Sequence, residues 1–260
     1  MSQQPATVTT PVTDPVISAR DVGIEFYTSR RRKMQVRDLL FHGRASTTSD
    51  TFWALKDISF DIGAGEAVGL VGGNGSGKST LLKTIAGVLL PDRGEVEVSG
   101  GVAPLIELTG GFRGELTCRD NLYVQAGLHG LKKDQIDERF ESMVDFAGPQ
   151  VREALDRPYR HLSSGMQVRL GFAVISSLDE PIFLVDEVLA VGDKAFREKC
   201  YTRMEALLSE GRTLFLVSHS EKDLKRFGTR GLYLRRGELV MDGPMAEVLE
   251  QYNEDLRTAG

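Results

Sequence analysis

Residues 72–79 read GGNGSGKS, a glycine-rich run closed by a lysine and a serine. It sits between an apolar, β-prone stretch (EAVGLV, residues 66–71) and a stretch with helix-period apolar residues (KSTLLKTIAG, residues 78–87), so the spacing predicts a strand, a loop and a helix. With no Cβ atoms in the way, the backbone N–H groups of Gly72, Gly73, Asn74, Gly75, Ser76 and Gly77 can converge on an anion at the positive end of a helix. A triphosphate fits that chemistry. Lys78 would reach the β- and γ-phosphates, Ser79 would ligate Mg²⁺, and Thr80 would place a hydroxyl near the α-phosphate.

A second run, PIFLVDE at residues 181–187, carries four apolar residues into two carboxylates. Its composition suits a strand buried on both faces of a parallel sheet, whose C-terminal end is where such sheets bind ligands. Asp186 is then placed to hold Mg²⁺ through water, and Glu187 to orient and polarise an attacking water. Between these two runs lies LSSGMQ at residues 162–167, followed by the helix-period segment QVRLGFAVISS. Ser163 and Ser164 read as a helix N-cap, and the same N-terminus is suited to an anion.

Taken together, these motifs resemble the nucleotide-binding subunits of ABC transporters. LSSGMQ is similar to that family's LSGGQ signature, with Ser164 where glycine is usual and Met166 interposed before Gln167. The resemblance implies a head-to-tail homodimer in the ATP-bound state, in which Ser163, Ser164, Gly165 and Gln167 of one copy cap the nucleotide held by the other. It also implies that His219, after the apolar run TLFLV, contacts the γ-phosphate and the catalytic carboxylate. Asp193, in LAVGD, falls on a loop that exchanges contacts across the dimer. Glu107 occupies a slot where glutamine is usual, on the loop that senses Mg²⁺ and the membrane partner. Phe26 or Tyr27, with Trp53 nearby, stands where the family stacks an aromatic on adenine, and all three also read as ordinary packing aromatics.

ELTGGFRGELTCRDNL at residues 107–122, LVDEVLAVGD, and the long insertion between Tyr27 and Trp53 are similar to ATP-binding subunits of polysaccharide exporters, which move lipid-linked O-antigen, teichoic acid or related glycans. The implied assembly pairs this chain with a separate transmembrane permease at the cytoplasmic face of the cell membrane, the glycan passing through the permease. Some members add a C-terminal carbohydrate-binding domain, and the chain is expected to carry none. A soluble ABC ATPase acting on DNA or ribosomes is the alternative. Lys78 and Asp186 lie too close in sequence for the long coiled coils of chromosome-type members, and there is a single cassette.

Composition fits these expectations. The 260 residues are 41% apolar, enough for one substantial core, and no run approaches the length of a membrane span. The net charge of −5 disfavours nucleic acid as a partner, and two cysteines make neither a disulfide framework nor a metal site. Residues 1–15, rich in Thr and Pro, read as a disordered tail ahead of a nucleotide-binding domain at 16–260, whose helical part spans about 112–177. The expected fold is α/β: a P-loop NTPase core with an antiparallel β subdomain and a helical subdomain. Strands are predicted at 16–27, 57–62, 67–71, 95–98, 182–185, 213–217, 231–234 and 238–241. Helices are predicted at 120–127, 133–147, 165–177, 196–208 and 245–252. The basic residues Arg30, Arg31, Arg32, Lys33 and Arg37 read as a solvated loop, with contact to anionic headgroups or a membrane partner as the other reading.

Overall fold

The computed structural model describes residues 14–28, 50–106, 108–186 and 192–259; Glu107, Glu187 and the basic residues at 30–37 lie outside them. In chain order the elements are β1 (Ile17–Thr28), β2 (Asp50–Ile62), β3 (Ala67–Val71), α1 (Lys78–Ile85), β4 (Arg93–Val98) and β5 (Val102–Leu105). Then follow α2 (Cys118–Leu128), α3 (Lys133–Ala147), α4 (Pro149–Arg152), α5 (Ser164–Ile175) and β6 (Ile182–Asp186). The chain continues through α6 (Lys194–Ser209), β7 (Thr213–Val217), α7 (Glu221–Phe227), β8 (Arg230–Arg235), β9 (Glu238–Pro244) and α8 (Met245–Ala259).

Two sheets result. An antiparallel sheet has the order β2-β1-β4, and a larger one runs β5-β6-β7-β3-β8-β9, parallel except for its last pair. The mostly apolar strands β3, β6 and β7 lie inside the larger sheet, where both faces are covered. Their side chains alternate with period two. Val68, Leu70, Ile182, Leu184, Phe215 and Val217 pack toward the antiparallel sheet and α1. Ala67, Val71, Phe183, Val185, Leu214 and Leu216 pack toward α5, α6, α7 and α8. A third core holds α2, α3, α4 and α5 together around Leu122, Phe140, Val144 and Leu170. Helix α5 serves two cores, giving Phe172 and Ile175 to the sheet and Leu170, Ala173 and Val174 to the other helices.

Helix α4 was not predicted and α8 runs seven residues past its expected end at 252, and three further departures have a local reason. Strand β2 begins at Asp50 rather than near 57, because its first half pairs with the end of β1, Phe52 opposite Phe26. Register shifts along this pair hide the alternation, and Asp21 and Asp57 take left-handed conformations with φ of 48° and 51°, which Asp tolerates better than most residues. Strand β5 (VAPL) was not predicted. It is short and contains Pro104, which an edge strand accommodates. Helix α7 was also missed, since seven mostly charged residues show little periodicity; Ser220 caps it by accepting from the Asp223 N–H at 3.3 Å.

The two sheets meet at a stacked pair, Phe60 on β2 and Phe215 on β7, with centroids 6.3 Å apart and planes 10° from parallel. Both are fully buried, so truncation leaves a cavity at the joint. Phe215→Ala is expected to lower the unfolding free energy by about 3–5 kcal/mol, read from the shift in urea midpoint.

Candidate nucleotide-binding site

The loop at 72–77 leaves the carboxyl end of β3 and enters α1 at Lys78. Gly77, at the N-cap with φ 106°, can be nothing larger: a Cβ there would stand 2.6 Å from the Ala54 carbonyl oxygen. Cβ atoms added at Gly73 or Gly75 would meet nothing within 4 Å, so the opposite side of the loop is an open cradle. Buried Lys78 donates from Nζ to the carbonyls of Gly72 at 2.7 Å and Gly73 at 3.0 Å, which holds the ammonium over the loop. Such a cradle, edged by an ammonium and the hydroxyls of Ser79 and Thr80, fits a polyphosphate.

Sheet order delivers the carboxylate. Asp186 at the end of β6 pairs with Val217 of β7, and Val217 pairs with Leu70 of β3 just before the loop. With strands about 4.8 Å apart, Asp186 stands about 10 Å across the sheet from Leu70, on the same carboxyl edge as the loop. A hydroxyl on α1 and a carboxylate on that edge are hard oxygen donors of the kind Mg²⁺ takes beside phosphates. His219 follows β7 on the same edge. Glu187 is the next residue after Asp186 in the chain and lies outside the described residues, as does Glu107.

A cleft of about 530 Å³ opens over the loop, lined by residues 74–80, by His219 and Arg236, and by Phe26, Phe52, Trp53 and Ala54. The aromatic wall comes from the β1–β2 hairpin. Phe26 and Phe52 pack with centroids 5.8 Å apart and stay 39% and 50% exposed, which is the state of an aromatic surface awaiting a flat partner. Tyr27 is 71% exposed and is not part of the lining, so of the two adjacent aromatics the structure brings Phe26 to the cleft. Trp53 also lines it, under the Arg93 guanidinium at 4.7 Å. Phe52 and Arg236 were not anticipated from sequence. The first would have been found by pairing Phe26 across the hairpin; nothing in the local sequence distinguishes the second from other turn arginines.

The segment around Ser163 lies elsewhere. Ser163 caps α5, its Oγ accepting from the Met166 N–H at 3.3 Å, while Gln167 Nε2 donates to the Leu162 carbonyl at 3.4 Å. Ser163 and Ser164 are exposed, and neither they nor Gly165 nor Gln167 line this chain's own cleft. Asp193 is the N-cap of α6, accepting from the Phe196 N–H at 2.9 Å, and it pairs with Arg169 of α5 at 2.6 Å. The Phe196 N–H first, and then the Arg169 charge, hold the Asp193 carboxyl below the ordinary range. Arg169 also lies over the Phe196 ring at 4.5 Å, so the start of α6 and the signature helix are strapped together.

A family model described as ABC transporter matches residues 55–190. The chain is 38% identical over 243 residues to the O-antigen export system ATP-binding protein RfbB of Klebsiella pneumoniae, covering 92% of this chain and 98% of that protein. It is also 38% identical over 223 residues to the teichoic acids export ATP-binding protein TagH of Bacillus anthracis, covering 86% of this chain and 40% of the longer relative. In fold it is similar to the dimeric post-hydrolysis structure of the ATP-binding cassette MJ0796 bound to ADP and Pi, with TM-score 0.69, 21% identity, and coverage of 88% of this chain and 98% of the other. The chain therefore belongs to the ABC transporter family. Within that family it is an ATPase cassette, the class that the glycine loop and the Asp186 edge define.

If the hairpin aromatics form the base-stacking wall, Phe26→Ala and Phe52→Ala will each weaken ATP binding by about 3- to 10-fold, the range of a single aromatic contact, while Tyr27→Ala leaves it unchanged. Equilibrium titration with a fluorescent ATP analogue measures all three.

Proposed function

We propose that this chain is the ATP-binding and hydrolysing subunit of an exporter of lipid-linked polysaccharide, working as a nucleotide-closed homodimer beneath a separate membrane-spanning permease. The observation that carries the dimer is the separation of two half-sites on one chain. The phosphate cradle, Asp186 and His219 share one carboxyl edge, whereas the exposed cap at Ser163 and the N-terminus of α5 lie outside that cleft. A second copy, turned head to tail, supplies the missing lid: Ser163 and Gly165 donate to the terminal phosphate across the interface, and Asp193 accompanies them because Arg169 ties it to α5.

In this reading ATP is bound by Lys78, Ser79, Thr80 and the loop amides, with adenine against Phe26 and Phe52. Mg²⁺ held by Ser79 and Asp186, with Glu107 nearby, would neutralise charge on the phosphates. Glu187 orients the attacking water and accepts its proton, while His219 contacts the γ-phosphate and that carboxylate. Release of phosphate removes the acceptor that donors from both copies share, and the pair reopens. The polysaccharide cargo is supported by RfbB and TagH, whose names place them in O-antigen and teichoic acid export. No helix among the described residues is long and apolar enough to cross a membrane. In this proposal a separate permease builds the passage for the glycan.

Replacing Glu187 with Gln is expected to leave ATP affinity intact, cut turnover by at least about a hundredfold and accumulate the closed dimer, seen together by phosphate release and sedimentation. Turnover at the wild-type rate would contradict the base assignment. Ser163→Arg should abolish hydrolysis with monomer nucleotide binding unchanged; retained hydrolysis would show that the cap is dispensable. Accumulation of a lipid-linked glycan inside cells depleted of the chain would test the cargo.

A further inference from the structure

The hairpin between β8 and β9 is a two-residue turn, Arg236–Gly237, with Arg235 paired to Glu238 across it. Both turn residues have positive φ, 53° and 81°, the geometry of a turn that favours Asn-Gly or Asp-Gly. Gly237 cannot be otherwise, since a Cβ there would stand 2.8 Å from the Ala54 carbonyl oxygen. Arg236 is a different matter. A long side chain in the left-handed region carries a conformational cost that Asn would largely avoid, and such outliers collect at functional sites.

The turn is fixed by two backbone bonds, one to the phosphate loop and one to β2. The Gly237 N–H donates to the Ser76 carbonyl at 3.0 Å, and the Lys56 N–H donates to the Gly237 carbonyl at 2.8 Å. Arg236 is thereby held at the cleft that Asn74–Thr80, Phe26 and His219 line. Its neighbour Arg235 is taken by Asp255 at 2.6 Å, whereas among the described residues no carboxylate pairs with Arg236. An exposed guanidinium, set at a nucleotide cleft by a rigid and strained turn, has the chemistry of an anion contact.

We propose that Arg236 is a nucleotide-contacting residue whose guanidinium binds the phosphate chain of ATP from the β8–β9 turn, adding a second cation to Lys78. This rests on the nucleotide-binding role of the cleft and deepens it. A phosphate contact raises affinity for each added charge, so its loss is felt most by ATP, less by ADP and least by AMP, and it lowers the salt dependence of ATP binding.

The test is Arg236→Asn in the full chain, a change that suits the turn's left-handed backbone and removes only the cation. Calorimetric titration with ATP, ADP and AMP at two salt concentrations should show ATP affinity falling about tenfold, ADP less and AMP unchanged, with a denaturation midpoint no lower than wild type. Arg236→Lys should keep part of the ATP affinity. Unchanged ATP affinity in the Asn variant would overturn the proposal, as would an equal loss for ATP and AMP, which would put the guanidinium on the base or ribose. If wild-type protein binds ATP and Lys78→Ala abolishes binding while Arg236→Asn does nothing, the cleft assignment stands and only the Arg236 contact fails.

Discussion

The structure depends on the pairing of β6 and β3 with β7 between them. Those three strands are apolar on both faces, so they are stable only as the covered interior of a sheet, and their register is set by which residues face which core. A shift of one residue in β6 would exchange Phe183 and Val185 with Ile182 and Leu184 and carry Asp186 away from the loop edge. The same packing that stabilises the sheet therefore fixes where a carboxylate stands relative to the glycine loop. The Phe60–Phe215 stack extends this constraint to the antiparallel sheet, which presents the Phe26–Phe52 wall. The proposed contacts to phosphate and base thus rest on one continuous core.

The cap proposed to complete the site lies at the start of α5. That helix is anchored twice, to the sheet through Phe172 and Ile175 and to the helical block through Leu170 and Val174, so its exposed N-terminus is presented by a rigid body. The Arg169–Asp193 pair and the Arg169–Phe196 contact connect it to the start of α6. A motion of α5 would therefore carry the Ser163 cap and Asp193 together.

Most of this was legible in the sequence because the chemistry is local. The phosphate loop, the strand ending in Asp186 and the Ser163 cap are each written in a short run of residues, and helix α3 was predicted with the boundaries it has, Lys133–Ala147, from apolar spacing. What escaped prediction came from pairing across the chain. Phe52 matters only because β1 and β2 continue past the bulges at Asp21 and Asp57, and Arg236 only because the Gly237 N–H reaches the Ser76 carbonyl. Neither link leaves a periodic trace. Tyr27 shows the converse, since two adjacent aromatics on a strand point to opposite sides and only the fold distinguishes them.

The central claim is that each catalytic centre is assembled from two chains, and mixing tests it most directly. Lys78→Ala lacks the phosphate grip, Ser163→Arg lacks the cap, and each is expected to be inactive alone. A mixed dimer contains one intact centre, formed by the loop of the capless chain and the cap of the gripless chain. The account predicts that ATPase activity reappears on mixing the two inactive proteins and rises with total concentration as mixed dimers form. A mixture that stays as inactive as its components, or full activity from the Ser163→Arg chain alone, would contradict it.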